Sequence, residues 1–264
     1  MNTSYQVLSI VDHGDGIVAV SFNRPEVRNA INTATVVELR RFFQPLAFTP
    51  GDLRAIILTG AGDKAFSAGG DLKERDGMSN DDWRAQHAII EESASAVLNC
   101  SVPVIAAVNG AAFGGGCELA LCCDFILASE NAVFALPEVT RGIMPGGGGT
   151  QNLPRAVGLR RAKELLMTGR RFTAREAETW GMVNAVVPPE ALMDHAMSVA
   201  REIAANAPIS VRQVKKASHH GVQTNLTSGL LLEVQCYERT IGTEDRLEGV
   251  RAFNEKRKPT FNGR

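Results

Sequence analysis

The sequence predicts an α/β fold, a layered core of strands and helices followed by a helical C-terminal region. Apolar strand patterns alternate with helical patterns up to about residue 150, and almost every later segment has helical periodicity. The chain's 264 residues, 44% hydrophobic and 22% charged, are enough for one sizeable core rather than several domains. In order, "YQVLSIV" and "IVAVSF" flank the turn-rich "DHGDG" and predict a β-hairpin. "NAINTATVVELRRFF" then carries helical spacing, and "LRAIILTG" is a buried strand closed by glycine. The unit recurs as the helix "SNDDWRAQHAIIEESASAVLNC" and the strand "PVIAAVNG", with "DFILAS" and "AVFAL" as two more short strands. Later segments, from "RRAKELLMTG" to "EDRLEGVRAFNEKR", predict helices, with "MVNAVV" as the one strand among them.

Composition excludes several function classes. No apolar run has the length of a membrane span, and residues 1–30 lack a basic stretch followed by an apolar one, so a cytoplasmic protein is expected. Cysteines 100, 117, 122, 123 and 236 are odd in number and form no CxxC pair, which argues against a disulfide framework or structural zinc. A net charge of −1 gives no global attraction to nucleic acid or anionic lipid. The histidines at 13, 87, 195, 219 and 220 form no HExxH and are expected to be surface or helix residues; there is no GxSxG. The glycines at 146–149 lack the following GK[ST] of a P-loop. No metal and no separate cofactor are expected.

Chemistry is concentrated in three segments. In "NGAAFGGGCELALCCD" a strand leads into a helix whose first turn holds glycines, and Glu118 stands alone in an apolar run. First-turn N–H groups lack intrahelical acceptors and favour negative oxygen, and a buried carboxylate must be paired, hydrogen-bonded or used. A glycine turn for tight packing with Glu118 in solvent is the alternative reading. "KAFSAGGDL" is a second glycine cluster after a strand, and "FALPEVTRGIMPGGGGT" brings a second carboxylate, Glu138. Two carboxylates with backbone donors suit proton transfer beside a polarised carbonyl. Cys117, at a helix start without a partner base, is expected to be buried filler.

With "FNRPEVRNAIN" and "EDRLEGVRAFNEKRKPTFNG", these segments resemble the crotonase, or enoyl-CoA hydratase, family over almost the whole chain. The "IMPGGGGTQNLPR" segment and the C-terminal region look most like the branch with general enoyl-CoA and methylglutaconyl-CoA hydratases. The resemblance implies a crotonase fold of repeated ββα units over 1–200 and a C-terminal helical trimerisation region over 201–264. It implies a homotrimer or dimer of trimers acting on acyl-CoA thioesters, with water added syn across a 2-enoyl-CoA to give a 3-hydroxyacyl-CoA. The oxyanion donors correspond to the N–H groups of Gly70 and Gly115, the catalytic glutamates to Glu118 and Glu138, and a water-holding N–H to Gly146. Glu118 is assigned as base and Glu138 as proton donor. CoA is expected along Val27, Arg28, Ala30, Ala68, Gly70, Asp71, Leu72 and Gly115, with Arg28 read equally as a solvated arginine.

Some features remain open within the resemblance. The basic run 254–259 is either a contact to the CoA 3′-phosphate from a neighbouring subunit or a solvated face. Met78 and Trp83 follow the first glycine segment, where they cover the acyl pocket or pack in the core. Leu136 departs from the glutamine of some short-chain hydratases. An enoyl-CoA isomerase is the alternative activity. RNA binding through helix 33–43 is disfavoured, since that helix carries Arg40 and Arg41 but no lysine.

Overall fold

The computed structural model describes residues 5–264. Its strands are β1 (Leu8–Asp12), β2 (Ile17–Phe22), β3 (Ala55–Gly60), β4 (Ala65–Ser67), β5 (Val104–Val108), β6 (Ala111–Phe113), β7 (Phe125–Ser129), β8 (Val133–Ala135), β9 (Phe172–Thr173) and β10 (Ala185–Val187). The helices that frame the site are α1 (Thr33–Phe43), α2 (Leu72–Arg75), α3 (Asn80–Leu98), α4 (Gly115–Cys122) and α5 (Gly149–Val157). They are followed by α6 (Leu159–Thr168), α7 (Ala174–Thr179), α8 (Leu192–Ala204), α9 (Pro208–Gly221), α10 (Leu226–Ile241) and α11 (Glu244–Asn254).

The strands form two sheets, ordered β1-β2-β3-β5-β7-β10 and β4-β6-β8-β9. The predicted hairpin is present, with β1 antiparallel to β2 and Leu8 opposite Phe22. From β2 onward the larger sheet is parallel. That explains why β3 and β5 read as continuous apolar runs: both are buried along their whole length. Each repeat places one strand in each sheet and then a helix, as in β3-β4-α2 and β5-β6-α4. The core lies on both faces of the larger sheet. One side packs Val20, Ile56, Leu58 and Phe66 with α1 and α3, and the other packs Ile57, Ile105 and Leu127 against α8. Helices α9 and α10 pack on each other beyond this body.

The second sheet was largely hidden in the sequence. The residues of β6 read as part of the approach to a glycine-rich helix, and β9 fell within a segment read as helical. Three-residue strands give too little periodicity for a pattern to appear. They form because backbone pairing to neighbours satisfies their N–H and C=O groups, with Ala65 opposite Ala111 and Phe113 opposite Ala135.

Candidate active site

Strands β4, β6 and β8 are parallel neighbours, so their C-terminal ends lie side by side. The segments leaving them carry Gly70, Gly115 and Glu138, the residues singled out in three separate stretches of sequence. A cavity of about 700 Å3 is lined by Gly70, Gly115, Glu118, Glu138 and Gly146 together. Gly70 bridges Ile31, but the hydrogen bonds of that bridge run from Ile31 N–H to Gly69 O and from Asp71 N–H to Ile31 O, both 2.8 Å. The N–H of Gly70 therefore takes no part in the bridge. Gly115 opens α4, where an N–H has no acceptor within the helix.

Glu118 is 4% exposed, so the solvent-facing alternative fails. Its Oε1 accepts hydrogen bonds from the N–H groups of Gly147 at 2.7 Å and Gly149 at 2.8 Å. Burial pushes its carboxyl above the ordinary range, while the N–H groups of Gly149 and Gly147, then the charge of His87 and the N–H of Gly146, oppose that rise. The glycine run is thus the solvation shell of a buried carboxylate.

Glu138 opens a short 3-10 turn, Glu138–Arg141, and its Oε2 is buried without a hydrogen-bond partner among the described residues. Burial, reinforced by the Glu118 charge and opposed by its own backbone N–H, pushes its carboxyl up to about 7. A Cβ built on Gly114 would stand 3.1 Å from Glu138 Oε1, so this carboxylate lies against the residue that precedes α4. The two carboxylates thus differ in the donors that reach them: Glu118 Oε1 accepts two backbone N–H groups, and Glu138 Oε2 accepts none among the described residues.

Of the residues expected along CoA, Ala68, Gly70, Leu72 and Gly115 line the cavity. Val27, Arg28, Ala30 and Asp71 are not among the lining residues. Arg28 is exposed, with φ of 56°, and its carbonyl accepts the N–H of Ala68 at 2.9 Å. Asp71 pairs with Arg24 at 2.9 Å and caps α2 through the N–H of Lys73. Arg24 also donates to Ala30 O at 2.7 Å, tying the two segments together. In the basic run, Arg257 is paired with Glu248 and Glu255, each at 2.6 Å, while Lys256 and Lys258 are exposed. Cys117 is fully buried, and burial raises its thiol well above the ordinary value, as expected of filler.

Among the cavity residues that escaped the sequence reading are His87 and Arg75. His87, expected to be an ordinary helix residue, is on α3 but lines the cavity and lies against Gly146, where an added Cβ would be 2.3 Å from its Cε1. Its Nε2 is 3.1 Å from Glu91 Oε1. Arg75 also lines the cavity, under the ring of Trp83. Of the two residues left open, Trp83 lines the cavity and Met78 is not among its lining residues. Trp83, His87, Ile90 and Ala94 all face the cavity at helical spacing. That stripe was visible in the sequence but carried no sign of what it would face.

The repeated two-sheet unit is the crotonase fold. A family described as enoyl-CoA hydratase/isomerase matches residues 12–264. A crotonyl-CoA hydratase of Syntrophomonas wolfei is 40% identical, over 96% of this chain and 96% of its own length. A short-chain-enoyl-CoA hydratase of Clostridium acetobutylicum is also 40% identical, over 94% of this chain and 95% of its own. The crystal structure of an enoyl-CoA hydratase from Bacillus anthracis superposes with a TM-score of 0.95 at 46% identity, covering 98% of this chain and 100% of that one. The chain belongs to the enoyl-CoA hydratase/isomerase family. Among the described residues no helix is long and apolar enough to cross a membrane.

The raised carboxyl of Glu138 has a consequence for stability. Its folded value, about 7, exceeds the ordinary 4.5, so the stability it contributes is complete below 4.5 and is lost as pH rises through 7. Glu138→Gln, which cannot ionise, is therefore expected to unfold at a higher denaturant midpoint than the parent above about pH 7, with the difference closing toward 4.5. A difference constant over that window would show that Glu138 does not titrate in it.

Proposed function

We propose that the protein hydrates 2-enoyl-CoA thioesters to 3-hydroxyacyl-CoA, with water added syn to the double bond. The observation that carries this reading is the pair of glutamates, buried Glu118 and half-buried Glu138, on one cavity with two uncommitted backbone donors. Hydratase-named relatives at 40% identity support it.

In this reading the thioester oxygen accepts hydrogen bonds from the N–H groups of Gly70 and Gly115. Each such donor, fixed before the reaction, contributes about 2.7–4 kcal/mol to the transition state. Polarisation of the carbonyl makes C3 electrophilic. Glu118 accepts one proton from water through the oxygen that Gly147 and Gly149 leave free, and the hydroxide oxygen bonds to C3. The electrons of the double bond move toward the thioester oxygen, and Glu138 delivers its proton to C2. Glu118 is then protonated and Glu138 ionised, and passage of one proton between them restores the pair. The two groups share one proton inventory, so their titration belongs to the pair. The Gly146 N–H helps to hold the water, and the pantetheine lies along Ala68 to Leu72.

The same reading takes residues 1–200 as the catalytic core and 201–264 as a helical region that joins subunits into a trimer or a dimer of trimers. Its support is an apolar surface that one chain leaves uncovered. Leu226, Val234, Tyr237 and Phe253 on α10 and α11 are 77%, 57%, 67% and 84% exposed. Light scattering at micromolar concentration is expected to give at least three times the chain mass; a stable monomer would remove the assembly from the proposal.

Hydration and double-bond isomerisation differ in the fate of solvent oxygen. Turnover of a 2-enoyl-CoA in ¹⁸O-labelled water is expected to place the label at C3 of the product. Conversion of 3-enoyl-CoA to 2-enoyl-CoA with no label taken up would contradict hydration and favour isomerisation.

A further inference from the structure

The cavity also holds a cation that the two-glutamate chemistry does not use. Arg75 ends α2 and lies against Gly70, where a built Cβ would come within 3.3 Å of its Cζ and Nη1 and 3.4 Å of its Nη2. All three atoms of that face are nearly equidistant, so the guanidinium plane is laid on the glycine. A side chain at position 70 would require it to give by a few tenths of an ångström.

The placement of Arg75 is fixed from several sides. Its Cζ is 4.7 Å from the centre of the Trp83 ring. Its Nε donates to Gln86 Oε1 at 2.8 Å. Gln86 is itself held, its Nε2 donating to Thr33 Oγ1 and to Glu74 Oε2, both at 2.8 Å. Glu74 is nearby but occupied, accepting the N–H of Thr33 at 2.9 Å as well as the Gln86 amide. Arg75 thus has an amide and an aromatic face to position it, and no ion pair with a carboxylate among the described residues. Burial pulls its guanidinium below the ordinary value, against the smaller opposing effect of Glu74. A half-buried cation with no neutralising partner costs free energy unless an anion meets it in use.

We propose that Arg75 is a third, charged element of the oxyanion site, its guanidinium facing the negative charge that develops on the thioester oxygen bound to the Gly70 N–H. The proposal rests on the reading that Gly70 and Gly115 hold that oxygen. An oxygen about 2.9 Å from Gly70 N is within roughly 9 Å of a guanidinium that stands 3.3 Å from where a Cβ on the same residue would be. At that range, in the dielectric typical of a protein site, a full charge alters the rate by about 10- to 100-fold. The oxygen is nearly neutral in the bound thioester and charged in the enolate, so the effect belongs to kcat rather than to binding. The position of Arg75 on Gly70 puts the cation at the thioester end of the cavity, which favours this anion over a CoA phosphate or a carboxylate on the acyl chain.

The test compares the parent with Arg75→Met, which keeps length and removes charge, and Arg75→Lys, which keeps charge. Turnover of a short unbranched 2-enoyl-CoA is measured with the infrared carbonyl stretch of a bound ¹³C-labelled thioester. Arg75→Met is expected to lower kcat about 10- to 100-fold with little change in KM, and to return the carbonyl stretch toward its free frequency. Arg75→Lys is expected to recover part of both. Circular dichroism checks the fold, and Arg75→Gln carries the same readouts should the methionine variant not fold.

Parent-like kcat and carbonyl frequency in a folded, uncharged variant would overturn the proposal. So would a loss confined to CoA affinity, which would assign Arg75 to a phosphate, or a loss confined to substrates with a distal carboxylate, which would assign it to the acyl chain. A parent enzyme that does not lower the carbonyl stretch on binding would instead overturn the oxyanion reading of Gly70 and Gly115.

Discussion

The site depends on how closely two loops approach each other. A Cβ on Gly69 would stand 2.5 Å from Phe113 O, and one on Gly116 would stand 2.5 Å from Ser67 O. Neither contact admits any side chain, and Gly69 has a φ of 88° besides. The segment leaving β4 and the segment entering α4 can therefore abut backbone to backbone. That approach brings Gly70 and Gly115 to one cavity with their N–H groups uncommitted. The short second sheet sets the same geometry from below, since parallel pairing of β4, β6 and β8 aligns the ends from which the loops start.

The electrostatics follow from that packing. Glu118 projects from the first turn of α4 into a region with little water, and the chain answers by folding a glycine run around it. The N–H groups of Gly147 and Gly149 reach Oε1 because their loop has no side chains to hold it away. Glu138 has no comparable shell and feels the Glu118 charge as well, so it retains its proton up to about 7. Asymmetry between two chemically identical side chains thus arises from which backbone donors each can reach. Arg75 places positive charge on the same cavity from α2, and His87 lines it from α3.

Much of this was legible in the sequence, and the gaps have physical reasons. The long strands β3 and β5 and helices such as α3 were readable because their apolar periods extend over enough residues. The glycine clusters and the two glutamates stood out because a carboxylate in an apolar run and consecutive glycines are both costly without a purpose. Strands β4, β6 and β9 were not readable, since two or three residues owe their conformation to neighbours remote in sequence. For the same reason His87 passed as a surface or helix residue and Arg75 drew no reading at all. Their importance comes from what α3 and α2 are packed against, which no local pattern encodes. The packing of Leu136 against the Gly149 turn, 3.2 Å from where a Cβ would stand, is equally a product of tertiary structure.

The central claim is that Glu118 and Glu138 serve one water as a unit. A double-mutant cycle on kcat tests it most directly, using Glu118→Gln, Glu138→Gln and the double variant, each with an intact fold. Each single variant is expected to lose about 10²- to 10⁴-fold, the usual contribution of a positioned acid or base. The double variant is expected to fall scarcely further than the worse single one, because groups acting on one proton inventory do not contribute independently. Losses that multiply would contradict the account, as would a Glu118→Gln enzyme as fast as the parent.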